Sequence, residues 1–295
     1  MNPTSTPIPL PDAVAAPRDQ LHTDQAGRIA YYHDRGGSGR PLVLVHSINA
    51  APSTYEVKPL FEHYADSRPV YSIDLPGFGH SERSPRDYSA ELFANAIRAL
   101  LEQVVQEPAD VLALSLSAEF AARAALGSPA SIASLVLVSP TGLSQRSLPS
   151  PLVGRLTHRL LSVRLWSQKL YDLVTSRRSI RYYLGQSFQD EPPQDVLDYA
   201  YATSHQPGAR HAPLIFLSTQ LFTRNAADNL YGRLTRLPVL AIADRDPYVT
   251  FEQLPDLVAR HANWQSERLA PHRGLPHWDQ PQATFAALDR FWAGA

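Results

Sequence analysis

Apolar residues along this chain follow two rhythms in alternation. Four short runs, PLVLVH (41–46), RPVYSID (68–74), ADVLALS (109–115) and ASLVLVS (133–139), are apolar and bounded by Pro, Gly, Asp or Ser. Runs of this kind predict strands buried on both faces. Between them, 54–65, 89–106 and 117–126 read as helices. The second opens at Ser89, a suitable N-cap, and places apolar residues at 93, 97, 100, 101 and 104, a helical stripe. Strand and helix in alternation predict an α/β fold: a mostly parallel sheet with helices on both faces. GRIAYYHD (27–34) is expected as an antiparallel edge strand.

The alternation stops at Thr141 and resumes with LPVLAIADRDP (237–247). A helix near 250–260, a strand near 264–270 and a final helix from 281 to 293 follow. The interruption, 141–236, is expected to be a helical cap over the carboxyl ends of the strands, where ligands bind in such sheets. The expected organisation is therefore a core of 20–140 and 237–295, a cap of 141–236, and a loose proline-rich arm of 1–19. The arm has neither a basic start nor a continuous apolar stretch, so it does not read as a signal peptide. No apolar run reaches the roughly 20 residues needed to span a bilayer. A cytoplasmic protein is expected.

Composition narrows the chemistry. The chain has 295 residues, 44% of them hydrophobic, and a formal net charge of -1, which excludes a disordered or nucleic-acid-coating protein. It has no cysteine, which removes disulfides, thiolate catalysis and zinc–cysteine sites. Eleven histidines show no H-x-x-x-H or comparable spacing, so no metal is expected. GGSG (36–39) lacks the Lys-Ser/Thr of a phosphate loop and reads as a turn. The cap holds eleven Arg and one Lys against six acidic residues. That surplus could attract an anionic substrate or an acidic carrier protein, or belong to a solvated outer face. Leu152, Leu156, Leu160, Trp166, Leu170 and Tyr171 are expected to pack onto the body rather than to meet a membrane, some of them lining an apolar pocket.

The chemistry centres on ALSLS (113–117) at a strand-to-helix junction. Small residues there fit a tight turn for packing reasons alone. They also fit a nucleophile elbow, in which Ser115 stands out on a strained backbone and bulky flanks would collide with neighbouring elements. The usual G-x-S-x-G is here A-x-S-x-S.

Context brings in a resemblance over roughly residues 20 to 293. LVLVHSINAAPSTYE, SIDLPGFGHSER, VLALSLSAEFAARAA, LPVLAIADRDPYVT and LPHWDQPQATFAALDRFW, in that order, resemble the α/β-hydrolase superfamily, in its serine esterase-like branch with a cap. The resemblance implies Ser115 as nucleophile, Asp246 as the acid that orients a histidine, and the backbone N–H groups of Leu116 and Ile48 as oxyanion donors. It implies an acyl-enzyme on Ser115 and a small to medium apolar ester as substrate, with no cofactor and no nucleic acid. Carbon–carbon bond hydrolysis stays open. So do a non-catalytic or non-hydrolytic member that binds a ligand or partner, and a lyase or oxygenase that forms no acyl-enzyme.

Gapless comparison of the closing segment puts the base's position at Gly274, which cannot act as one. His272 is the nearest histidine and the expected base. His277 suits helix-start packing, and a site without a working base is the third reading. Glu119 precedes Arg123 by four residues, so an ion pair is expected; the competing reading points Glu119 into or beneath the site. His46 is expected to be structural, and Asn49 to form a turn or offer its amide to a bound carbonyl.

Overall fold

The computed structural model describes residues 8–163 and 166–294. Its eight strands are β1 (Arg18–Thr23), β2 (Gly27–Asp34), β3 (Leu42–Val45), β4 (Val70–Ile73), β5 (Ala109–Leu114), β6 (Ile132–Val138), β7 (Val239–Ile242) and β8 (Trp264–Glu267). They form one sheet in the order β1-β2-β4-β3-β5-β6-β7-β8. β2 pairs antiparallel with both β1 and β4, and every other neighbouring pair is parallel.

Side chains alternate between the two faces of a strand. Leu42, Leu44, Leu112, Leu114, Val136 and Val138 turn to one face, where Leu60 and Phe61 of α1 (Lys58–Tyr64) and Phe285 and Leu288 of α12 (Pro281–Ala293) cover them. Val43, Val45, Val111, Ala113, Leu135 and Leu137 turn to the other, against Phe93 and Ile97 of α2 (Ala90–Leu100) and Phe120 of α3 (Ser117–Gly127). Both faces are covered, which is why the central strands read as unbroken apolar runs. Truncating one such side chain, as in Leu112→Ala, would cost roughly 2–5 kcal/mol. α2 starts where the sequence places it: the Ser89 hydroxyl accepts the Leu92 N–H at 3.1 Å.

The amino-terminal edge differs from expectation. β1, not β2, is the edge strand; in RDQLHT only Leu21 is buried, so no alternation marks it. The expected arm of 1–19 overlaps β1, and its first seven residues lie outside the described residues. Its remainder is anchored. Ala13 and Val14 are buried, the Ala13 N–H donates to Tyr32 Oη at 3.0 Å, and the Pro11 carbonyl accepts from Tyr199 Oη at 3.1 Å.

Between β6 and β7 the described residues hold α4 (Pro151–Leu161), α5 (Ser167–Val174), α6 (Arg177–Gln186), α7 (Gln194–Ser204), α8 (His211–Leu217) and α9 (Ala226–Asn229). This helical insert rests on loops at the carboxyl ends of the parallel strands. Tyr171 Oη donates to the Ala50 carbonyl after β3 at 2.9 Å, and Arg83, after β4, donates to Thr203 Oγ1 at 3.1 Å. After β7, Tyr248 Oη donates to the Tyr183 carbonyl at 3.0 Å. α10 (Leu254–Arg260) and the short α11 (Pro276–Asp279) complete the chain with α12. One packing expectation fails: Tyr171 is buried and Leu170 half-buried, but Leu152, Leu156, Leu160 and Trp166 face solvent. In α4 only Gly154 is buried, so the face that meets the body is the glycine side and the leucines lie opposite. Among the described residues no helix is long and apolar enough to cross a membrane.

Candidate active site

β5 delivers Ser115 into a bend. Its φ is +51°, in the left-handed region that costs a non-glycine residue on the order of 1–2 kcal/mol. Neighbours on both sides hold the bend: the Ser115 N–H donates to the Val138 carbonyl of β6 at 2.8 Å, and the Ser115 carbonyl accepts from Ala118 at 3.1 Å. Ala113 and Ser117 are both fully buried, so the flanking positions have no room for large side chains. Ser117 Oγ is buried without a partner, whereas Ser115 is half-buried at the head of α3. Among the described residues the Ser115 hydroxyl makes no hydrogen bond, and neither the Leu116 nor the Ile48 N–H has a protein acceptor.

The loop carrying Ile48 is fixed by a residue that sequence reasoning passed over. Glu56 Oε2 accepts the Ser47 N–H at 2.8 Å, and Oε1 accepts from Ser47 Oγ at 3.0 Å and from Asn49 Nδ2 at 2.8 Å. The Glu56 carbonyl also accepts from Trp278 Nε1 at 2.7 Å, which joins this loop to the closing segment. Glu56 lies in a one-turn 3₁₀ helix, Thr54–Val57, at the start of the stretch read as helical, and a lone acidic residue there has no periodic signature to single it out. Asn49 Oδ1 accepts the Ala51 N–H at 2.8 Å, the geometry of a turn former. His46 is a structural residue, its Nδ1 donating to the Ser47 carbonyl at 2.7 Å and its Nε2 accepting the Leu75 N–H at 3.0 Å. Complete burial pushes its pKa down.

Asp246 follows β7. Its Oδ1 accepts the N–H groups of Tyr248 at 2.8 Å and Val249 at 3.0 Å, while Oδ2 has no partner among the described residues. Burial pushes this carboxyl up from 3.8 to about 6, against the opposing pull of those two backbone bonds. The group beside Oδ2 is Gly274, with φ at +127°. A Cβ built there would lie 2.9 Å from Asp246 Oδ2. The position that the resemblance gives to the base therefore lies against Asp246, and it carries no side chain.

The two nearby histidines are engaged elsewhere. His272 is buried; its Nδ1 accepts the Gly274 N–H at 3.1 Å, which leaves the neutral ring's proton on Nε2, and Nε2 is unpartnered. Burial lowers its pKa, partly offset by the Asp244 carboxylate. His277 Nε2 donates to the Glu56 carbonyl at 2.7 Å, and burial pushes this ring down to about 4. Ile48 follows β3, Ser115 and Leu116 follow the adjacent β5, and Asp246 follows β7, two strands further on, all at the carboxyl ends of parallel strands, while no imidazole bonds to Ser115 or Asp246 among the described residues.

Beneath the elbow, the expected Glu119–Arg123 ion pair is absent among the described residues. Glu119 is fully buried on α3; its Oε2 accepts the Thr223 N–H at 2.7 Å and its Oε1 accepts from the Thr141 hydroxyl. Arg123 donates instead to Thr223 Oγ1 at 2.9 Å. Burial raises the Glu119 pKa. The helix is covered on that side, so the spacing that would give a surface pair gives an internal bracket tying α3 to the insert. No cluster of three or more metal-ligating side chains occurs among the described residues.

Comparison with known proteins places the molecule. A family model described as the alpha/beta hydrolase family matches residues 42–288, and the chain belongs to that family. An uncharacterised hydrolase, YugF, of Bacillus subtilis is 27% identical over 176 residues, 55% of this chain and 63% of that protein. N-formylmaleamate deformylase of Pseudomonas putida is 33% identical over 126 residues, 41% of this chain and 46% of that enzyme. The aligned segments thus span less than two thirds of these curated relatives. A thermophilic esterase from Thermogutta terrifontis superposes with a TM-score of 0.71 at 20% identity, covering 95% of this chain and 99% of the esterase. At that identity the likeness is one of fold.

Proposed function

We propose that this protein is a serine hydrolase that cleaves a small to medium apolar carboxylic ester through an acyl-enzyme on Ser115, with the helical insert as the cap of its site. One observation carries the reading: Ser115 is held at a positive φ with a free hydroxyl, and the N–H groups of Leu116, next in the chain, and of Ile48, after the adjacent strand β3, have no protein acceptor among the described residues. In this reaction Ser115 Oγ attacks the ester carbonyl, and the Leu116 and Ile48 N–H groups receive the negative charge on its oxygen. Losing one such donor costs on the order of 10²–10³ in rate in other enzymes. Collapse expels the alcohol, and water then releases the acid.

The base in this reading is His272, with Asp246 as the acid. Serving as base requires the loop that carries it to free Nδ1 from the Gly274 N–H, so that the proton moves to Nδ1 and Nε2 offers its lone pair. The relatives named as hydrolases and the esterase fold are consistent with this chemistry. A second reading, a member that binds a ligand without forming an acyl-enzyme, is favoured by the glycine beside Asp246 and by the engagement of His272 and His277 with other partners.

A fluorophosphonate probe, with p-nitrophenyl ester turnover measured alongside, separates the two. Labelling of the parent that is lost in Ser115→Ala and in His272→Ala but retained in Ser117→Ala supports the hydrolase. An unlabelled parent with no turnover overturns it in favour of the binding protein. Labelling that survives His272→Ala refutes the assigned base and keeps the nucleophile.

A further inference from the structure

The insert exposes an apolar face that the fold does not cover. Leu152 is 69%, Leu156 58% and Leu160 55% exposed on α4, and Trp166 and Leu173 are 45% and 69% exposed on and beside α5. At about 100° per residue, Leu152, Leu156, Leu160 and Val153 fill one arc of about 100° on α4. Exposed Arg155 and Arg159 lie along one border of that arc, and Gly154, against the body, lies across the helix. The face runs on into α5, because the Trp166 indole N–H donates to the Leu160 carbonyl at 2.9 Å. Leu173 stands two turns beyond Trp166 on the same side, with exposed Lys169 at its border.

Charge says what this face meets. Residues 151–183 contain six Arg and one Lys against a single acidic residue, Asp172; of these Arg177 is paired with Asp198, while Arg155, Arg159 and Lys169 have no acidic partner among the described residues. Across the rest of the insert, acidic and basic residues balance. A second copy would bring like charge against like charge, and a neutral apolar groove would leave the cations without partners. An apolar stripe flanked by arginines, with a tryptophan at one end, is the pattern of a helix lying in the plane of a lipid interface. We propose that the outer face of α4 and α5 docks this protein on an anionic lipid bilayer. The leucines and Trp166 enter the boundary between headgroups and acyl chains, and Arg155, Arg159 and Lys169 meet lipid phosphates. The proposal does not depend on the hydrolase reading, because it concerns binding and not turnover.

Co-sedimentation of the full chain with phosphatidylcholine vesicles, with and without phosphatidylglycerol, tests it. Binding to the anionic vesicles is expected to exceed binding to the neutral ones at least tenfold, to weaken with added salt, and to be accompanied by a blue shift in emission that Trp166→Phe removes. The pair Leu156→Glu with Leu160→Glu, and the pair Arg155→Glu with Arg159→Glu, should each weaken binding tenfold or more. Arg290→Glu, an exposed site outside the insert, should leave it unchanged. All these positions face solvent, so far-ultraviolet circular dichroism should match the parent. Failure of the parent to sediment with anionic vesicles overturns the proposal, as does equal binding by the leucine variants. A lipid-free dimer that the leucine variants convert to monomer would assign the face to a second copy and overturn it too.

Discussion

Replacing Asp246 by Asn is expected to stabilise the protein at alkaline pH. Burial holds this carboxyl at about 6 where 3.8 is ordinary, a difference worth about 3 kcal/mol against the ionised side chain in the native state. Asparagine keeps the Oδ1 acceptor for the Tyr248 and Val249 N–H groups and removes the charge. Asp246 is half-buried and the asparagine amide that replaces Oδ2 stays within reach of water, so solvent screening leaves about 2 kcal/mol of that difference. The sign follows from proton binding. Between pH 3.8 and about 6 the native state holds more protons at this site than the unfolded chain, so the parent loses stability as pH rises through that window. The advantage of the variant is therefore complete above about pH 6, roughly half present at pH 5, and gone below 3.8. Melting followed by circular dichroism at pH 8 and pH 5 should show the variant about 3–6 °C higher at pH 8, with the gap halved at pH 5. A variant no more stable than its parent at pH 8, or a gap independent of pH, would refute the burial argument.

Ser115→Gly should be about 1 kcal/mol more stable than Ser115→Ala in urea unfolding, because only glycine relieves a φ of +51°. Equal midpoints would mean the bend stores no strain. Glu119→Leu orphans the Thr223 N–H and the Thr141 hydroxyl, a loss of about 2–4 kcal/mol; Glu119→Gln, which still offers an acceptor, should cost about 1 kcal/mol or less by the same measurement. Gly274→His puts an imidazole beside Asp246 at the expense of a strained φ of +127°, with an expected loss of about 1–3 kcal/mol in stability. Its fluorophosphonate labelling at Ser115 should accelerate about 10²-fold or more if the nucleophile and acid are otherwise competent. An unchanged rate in a folded variant would count against that pairing.

Much of the sheet was legible because its strands are buried on both faces, so position and burial coincide in the runs around Leu44, Leu112 and Val136. β1 was not, since an edge strand with one buried residue looks like a loop. The bend at Ser115 could be expected from ALSLS only with the surrounding segments, because small residues at a turn are common. Side-chain networks formed across long sequence separations were out of reach. Glu56 gathers Ser47, Asn49 and Trp278, and Glu119 joins Thr141 to Thr223; neither arrangement leaves a spacing to find. The solvent-facing leucines of α4 misled for a related reason: helical periodicity marks an apolar face without saying what covers it.

The choice posed by ALSLS, between packing and chemistry, turns on what packing requires. A tight bend between β5 and α3 needs small side chains at 113 and 117, and both are buried. It does not need serine at 115: glycine would pack as well and would remove the left-handed strain. Nor does packing need Asp246 after β7, where asparagine would keep the same two backbone bonds without a half-buried charge. Two unfavourable choices, each reversible by one substitution, stand at the carboxyl ends of the sheet beside unsatisfied N–H groups. Strain of this kind persists where the strained atom is used, which supports a reactive Ser115 even though the neighbouring position, Gly274, carries no base.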